Sequence, residues 1–247
     1  MNFLSTIFFG VHKPQFIPNT QGVLDSLSDK RGIFTGDNVI TWGRNLSFLE
    51  DPKFVEAWRG NIDDAVEEAI VWRTAVLAWA ARSVVARGIP GDFVESGCYK
   101  GTSARILCDY LDFQDLPRDY YLYDLFMHDD SMPHHQMPLH GNGLYERVCR
   151  RFEAFPNVHV LQGRIPEVLH QASPEKIAFM HVDLNNAVAE IDTLEVLFDR
   201  LSPGGIMVLD DYGWQWYRSQ KLAEDAWLAG RGYQVLELPT GQGLLFK

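Results

Sequence analysis

From residue 92 to residue 210 the chain alternates between short apolar runs and stretches with helical spacing, and few architectures accept that order. The runs lie at 92–95, 120–124, 158–162, 177–183 and 205–210, each bounded by Gly, Pro or Asp. Apolar runs without strict alternation are typical of strands covered on both faces. Helical patterns occupy 102–111, 144–155, 189–201 and, after the last run, 219–230. Strand–helix alternation implies a doubly wound parallel sheet. Residues 233–238 and 242–246, either side of Pro239-Thr240-Gly241, read as two further strands joined by a tight turn. The expected fold is therefore α/β: a Rossmann-like, mostly parallel seven-stranded sheet with an antiparallel C-terminal hairpin.

Upstream, Asn61 is the expected N-cap of one long helix. Asp63 and Asp64 suit its first turn, Ile62, Ala65, Val66, Ala69, Ile70 and Arg73 follow helical spacing, and Gly88 and Pro90 end it. Residues 1–60 form an N-terminal helical extension, and 61–247 the main domain. A chain of 247 residues, 46% hydrophobic and 22% charged, can fill such a core. A net charge of −11 argues against nucleic acid as a partner. Cys98, Cys108 and Cys149 make an odd, widely spaced set, which excludes a disulfide framework and a cysteine zinc site and suits a reducing compartment. The longest apolar run, 75–81, is too short to span a bilayer, and the opening residues lack the basic region and cleavage site of a signal peptide. A soluble, cytoplasmic protein is expected, without a membrane partner.

The segment Glu95-Ser-Gly97-Cys-Tyr99-Lys-Gly101-Thr102-Ser103 follows the first main-domain strand and opens a helix. Its glycines permit positive φ and close backbone approach, and the helix start offers N–H groups to a ligand. The spacing is neither the G-x-G-x-x-G of dinucleotide binding nor a P-loop. Glu95 would repel a pyrophosphate but welcome an ammonium. Asp124, closing the next strand, suits a pair of ribose hydroxyls. Gln162-Gly163 ends the third strand, where it can border an adenine edge.

Asp183 ends the fourth strand, and Asp210-Asp211 the fifth. Neighbouring parallel strands would bring these carboxylates together, and such a cluster calls for a cation. Oxygen ligands point to Mg²⁺ first, with Ca²⁺ or Mn²⁺ as substitutes. His181 reads as a hydrogen-bonded core histidine. His128, His134, His135 and His140 crowd the segment after the second strand and supply candidate bases. Tyr212, Trp214, Trp216 and Tyr217 suit a sugar or aromatic acceptor. Arg147, Arg150 and Arg151 read as a solvated helix face.

A parallel sheet ending in an antiparallel hairpin resembles the class I methyltransferase plan. The glycine segment, Tyr121-Leu-Tyr-Asp124, His181-Val-Asp183 and Ser202-Pro-Gly-Gly-Ile-Met-Val-Leu-Asp-Asp-Tyr-Gly213 resemble the macrocin O-methyltransferase family over about residues 42–247. That resemblance implies a metal-dependent enzyme that uses S-adenosylmethionine to methylate hydroxyls of sugars on natural products. By analogy Glu95, Gly97, Tyr99, Gly101, Thr102 and Ser103 hold the methionine part, Asp124 the ribose, and Gln162 and Gly163 the adenine, with Asp183 bordering the cofactor. Asp183, Asp210 and Asp211 would bind Mg²⁺. The family's proton-accepting aspartate, two positions after the first metal ligand, is here Asn185. An amide orients a proton but does not take one, so Asp183, Asn185 and His140 stand as the catalytic candidates. A homodimer with a small-molecule hydroxyl acceptor is expected. Two alternatives stay open: a non-catalytic S-adenosylmethionine-binding protein and a nicotinamide-dependent oxidoreductase.

Overall fold

The computed structural model describes residues 1–128, 132, 136–141 and 143–247, so His134 and His135 lie outside the described residues. It divides into two compact units, Met1–Val76 and Leu77–Lys247.

In the first unit, β1 (Phe3–Leu4) runs parallel to β2 after α1 (Lys13–Asp25), and β2 (Phe34–Gly36) turns back into β3 (Val39–Thr41). The turn uses Asp37 and Asn38 at φ 51° and 57°, the doubly positive pairing that matches strand twist. Arg73 grips the Asp37 carboxylate at 2.6 and 2.8 Å, both side chains being buried. This small sheet is absent from the expectation of an N-terminal helical extension, because its strands are too short to show a period.

The single helix expected from Asn61 is two, and Asn61 itself ends a third that precedes them. Helix α2 (Pro52–Asn61) is capped by Asp51, and Asn61 is its last residue, its amide donating to Ala57 O. Asp64 then takes an extended conformation and accepts from Val66 N and Glu67 N, starting α3 (Ala65–Ala69). Glu67 reaches back to Asp63 N at 2.6 Å, a reciprocal arrangement close to a capping box. Ile70 leaves helical geometry before α4 (Val71–Ala86). The acids read as first-turn residues are thus the stop and restart of the chain.

The second unit holds a seven-stranded sheet. Its strands are β4 (Asp92–Ser96), β5 (Tyr120–Asp124), β6 (Val158–Gln162), β7 (Ile177–Val182), β8 (Leu201–Leu209), β9 (Leu236–Glu237) and β10 (Gly243–Phe246). Their spatial order is β6-β5-β4-β7-β8-β10-β9. Strands β4 to β8 are mutually parallel, whereas β10 runs antiparallel to both β8 and β9. This is the class I methyltransferase architecture. Every residue of β7 is buried, as a strand covered on both faces requires.

The helices are α5 (Thr102–Leu111), α6 (Leu144–Arg151), α7 (Glu167–Gln171), α8 (Ala187–Leu197) and α9 (Arg218–Ala229). Helix α6 stops earlier than its pattern suggests, and α7, five residues long, carries too little periodicity to read. Strand β9 pairs over two residues only. The chain leaves β4 toward β5 and β6, then returns to β7 on the other side of β4, so the topological switch lies between β4 and β7. Ligands of open α/β sheets bind outside the carboxyl ends of strands at such a point. No helix among the described residues is long and apolar enough to cross a membrane.

Candidate active site

Sheet register explains why residues far apart in sequence meet. Ser96 pairs with Tyr123 and Val182, Val182 with Leu209, and Leu209 with Gly243. One step further, the row across the sheet reads Gln162, Asp124, Gly97, Asp183, Asp210, Gln242; Asp124 and Gln162 are themselves paired. Most of the polar candidates thus stand on one line at the carboxyl edge.

Gly97 is the hinge of that line. Its φ is +90°, and a Cβ there would lie 1.8 Å from Asp183 O, so only glycine lets the loop after β4 cross the end of β7. Gly101, at φ +72°, leads into α5, where a Cβ would meet the Phe152 ring at 2.8 Å. The N-cap residue of α5, Gly101, has no side chain to cap it, so the backbone at Thr102 and Ser103 presents helix-start N–H groups. Tyr99 adopts φ +47° and donates its N–H to Asp124 Oδ2 at 2.7 Å, while Phe126 N donates to Oδ1 at 2.6 Å. These bonds fix the carboxylate beside the loop. Gln162 donates to Leu125 O, and Gly163 lets α7 approach, since a Cβ there would meet Val168 Cβ at 2.8 Å. Arg151 leaves the solvated face expected of it and donates to Lys100 O and Thr102 Oγ1.

One row deeper, Glu95 pairs in register with Leu122 and His181. Its carboxylate is buried, accepts from Tyr120 OH at 2.9 Å and lies 3.4 Å from His181 Nδ1. On the other side, His181 Nε2 lies 3.9 Å from Asp210 Oδ1. Among the described residues, neither ring nitrogen makes a well-aligned hydrogen bond. Burial alone would lower this imidazole's pKa, but the carboxylates of Asp210 and Glu95 outweigh it and carry the value up to about 10. His181 is therefore a cationic wedge between two acids, more than the satisfied core histidine expected from sequence.

One carboxylate oxygen from each of Asp183, Asp210 and Asp211 falls within 4.8 Å of the others. Asp210 is buried at the end of β8. Its Oδ1 accepts from Gln242 Nε2 at 2.8 Å, and its main-chain O accepts from Gln220 Nε2 at 3.1 Å. Thr240 in turn donates to Gln242 Oε1. Asp211 is forced to φ +54° by the sharp exit from β8. The all-oxygen donor set suits a hard divalent cation. Gln220 and Gln242 escape sequence reasoning, because each reaches Asp210 only through the packing of α9 or the hairpin.

Asn185, also at positive φ, turns its amide toward Asp183 Oδ1 at 3.4 Å, while Asn186 caps α8. His140 packs edge-on against the Tyr99 ring and stacks with His128, and its Nδ1 accepts from Met137 N at 3.3 Å. That bond places the neutral ring's proton on Nε2. Tyr99 OH accepts from Leu139 N at 2.9 Å. Tyr212 is buried under Lys221, with its OH donating to Asp225, whereas Trp214 and Trp216 stack on each other and Trp216 is exposed.

Against this geometry stand the likenesses to known proteins. Residues 71–225 match the family model of the macrocin-O-methyltransferases (TylF). The chain belongs to the macrocin-O-methyltransferase family. It is 31% identical over 155 residues to the 8-demethyl-8-(2,3-dimethoxy-alpha-L-rhamnosyl)-tetracenomycin-C 4'-O-methyltransferase of Streptomyces olivaceus, covering 55% of this chain and 58% of that one. It is 28% identical over 156 residues to the mycinamicin III 3''-O-methyltransferase of Micromonospora griseorubida, covering 55% and 61%. Each match thus spans less than two thirds of the relative's length. The O-methyltransferase NovP shares the fold with a TM-score of 0.62 at 20% identity, over 73% of this chain and 81% of that one. The macrocin family region contains the glycine loop, Asp124 and all three aspartates, whereas Gln242 lies outside it.

Proposed function

We propose that this chain is an S-adenosylmethionine-dependent O-methyltransferase acting on a hydroxyl of a sugar or glycosylated small molecule, with a divalent cation, Mg²⁺ first, held by Asp183, Asp210 and Asp211. The observation that carries this reading is the single register row that sets an acid-and-glycine cradle beside a three-carboxylate cluster in a macrocin-family chain. S-adenosylmethionine would supply an activated methyl on its sulphonium, and the cation a Lewis acid that draws oxygen ligands together and lowers a hydroxyl's pKa.

The chain's own part is positioning. The Glu95–Ser103 loop and the α5 start would receive the methionine end, Asp124 the ribose, and Gln162 and Gly163 the adenine. Transfer from a bound sulphonium would leave a neutral thioether and require the acceptor hydroxyl to release its proton to solvent water, so the chain's residues serve to orient that hydroxyl and let its proton escape. Asn185 holds Asp183 in place but takes no proton. His140 accepts one only by releasing Met137 N, because Nδ1 is its unprotonated nitrogen. Orientation of the reactants and electrostatic stabilisation provide the main acceleration. Association as a homodimer belongs to the same proposal.

Isothermal titration of S-adenosylhomocysteine tests the reading, with Mg²⁺ and with EDTA, on the wild type and on Asp124→Ala. Micromolar binding that the substitution abolishes supports the cradle; no binding in either buffer sinks it. The amide at 185 favours one other reading, a binding protein that holds the cofactor and transfers nothing. Methylation of any glycoside in an acceptor screen, stopped by EDTA and restored by Mg²⁺, eliminates that alternative.

A further inference from the structure

Behind the aspartate cluster, helices α8 and α9 pack against each other and bury two glutamates at their contact. Glu190 and Glu224 are fully enclosed, and their carboxyl groups lie within hydrogen-bonding reach of one another. Glu190 Oε1 accepts from Leu184 N at 3.2 Å. Among the described residues, Glu190 Oε2 and both oxygens of Glu224 have no other hydrogen-bond partner. Two acids so placed cannot both be ionised without a large penalty, whereas one proton between them makes a short charge-assisted bond.

Both ends of the pair lead to the site. Leu184 follows Asp183 directly. Gln220, one helical turn before Glu224, is buried and donates to the main-chain O of Asp210. We propose that Glu190 and Glu224 share one proton in a carboxyl–carboxylate hydrogen bond that ties α8 to α9 and positions the aspartate-bearing ends of β7 and β8. Its functional consequence rests on the cation site proposed above; the pair itself does not.

The charged groups around the pair agree. Burial raises both carboxyls first of all; for Glu190 the Glu224 carboxyl and then Asp183 push the same way, while Leu184 N opposes. For Glu224, the hydrogen bond with Glu190 opposes the rise, Asp225 adds to it, and Lys221 opposes it. A carboxyl raised on folding lends stability that is fully present below the ordinary glutamate range and is lost as pH rises through the folded value. Melting temperature should therefore fall as pH climbs out of that range. An amide donates the same hydrogen bond without titrating.

The experiment compares wild type with E190Q, E224Q and E190A. Melting by circular dichroism across pH should show the fall in wild type and a flattened profile in E190Q and E224Q. Infrared difference spectra should show a protonated carboxyl stretch in wild type that both amide variants lack. At fixed pH, Mn²⁺ titration should give wild-type affinity for E190Q and about tenfold weaker binding for E190A. Parallel pH profiles in wild type and both amide variants, or undiminished Mn²⁺ affinity in E190A, overturn the proposal. A wild type that binds no Mn²⁺ but loses its pH slope in E190Q and E224Q refutes the cation site and upholds the shared proton.

Discussion

The two halves of the candidate site are built by different means. The cradle on β4, β5 and α5 is held by main-chain groups: Tyr99 N and Phe126 N on one carboxylate, Gly97 N on Tyr123 O, and Gly101 N on Cys98 O. The carboxylate cluster on β7 and β8 is held by buried side chains from elsewhere, with Gln242 from the hairpin, Gln220 from α9 and Glu190 from α8. A backbone-built half tolerates side-chain change wherever φ permits it. A side-chain-built half depends on residues that touch no ligand.

The widest break in this contrast is at the seam. Gly97→Ala puts a methyl 1.8 Å from Asp183 O at φ +90°, against main chain that cannot swing aside. Steric displacement and strain together should cost more than about 3 kcal/mol. Thermal melts should show a large drop, and titrations the loss of both S-adenosylhomocysteine and Mn²⁺ binding. An alanine variant that melts like wild type would mean the loop and the end of β7 are not locked together.

The same contrast decides what the sequence discloses. The cradle is legible because glycine spacing and strand-end acids are local signals: helix 102–111 and strands 120–124 and 158–162 are found where their patterns place them. Asp183 and Asp210 are legible once the fourth and fifth runs are taken as neighbours. The supports are not. Gln242 meets Asp210 across 32 residues, and Gln220 reads as an ordinary surface position on a polar helix until α9 is seen to bury it. His181 is visible as a buried histidine, yet its place between Glu95 and Asp210 depends on register. The broken helix before β4 shows a local failure of a different kind, because Asp64 as a cap and as a first-turn acid look alike until its φ and ψ are known.

Gln242→Leu isolates the side-chain-built half. The variant keeps much of the volume but removes the N–H on Asp210 Oδ1. Partners that orient metal ligands commonly account for about 10–100-fold in affinity, so Mn²⁺ binding should weaken within that range. Affinity for S-adenosylhomocysteine measured in EDTA should stay at the wild-type value. Equal losses for both would show that the two halves are one mechanical unit, and the contrast would fall.

Tyr99→Phe probes a place where the backbone-built half leans on a side chain. The phenol accepts from Leu139 N, and its ring packs against His140 at right angles, while its own N–H holds Asp124. Phenylalanine keeps the ring and the main-chain bond and deletes only the acceptor. A single neutral hydrogen bond contributes about 0.5–1.5 kcal/mol, so the effect should be the smallest of the three. Hydrogen exchange at Leu139 should quicken, and affinity for S-adenosylhomocysteine should fall less than about tenfold, as that energy allows. Mn²⁺ binding should not change, because the contacts of Tyr99 run to Asp124, Leu139 and His140 rather than to the three clustered aspartates. If exchange at Leu139 is unaltered, the phenol does not hold this segment against the cradle, and the backbone alone defines that half of the site.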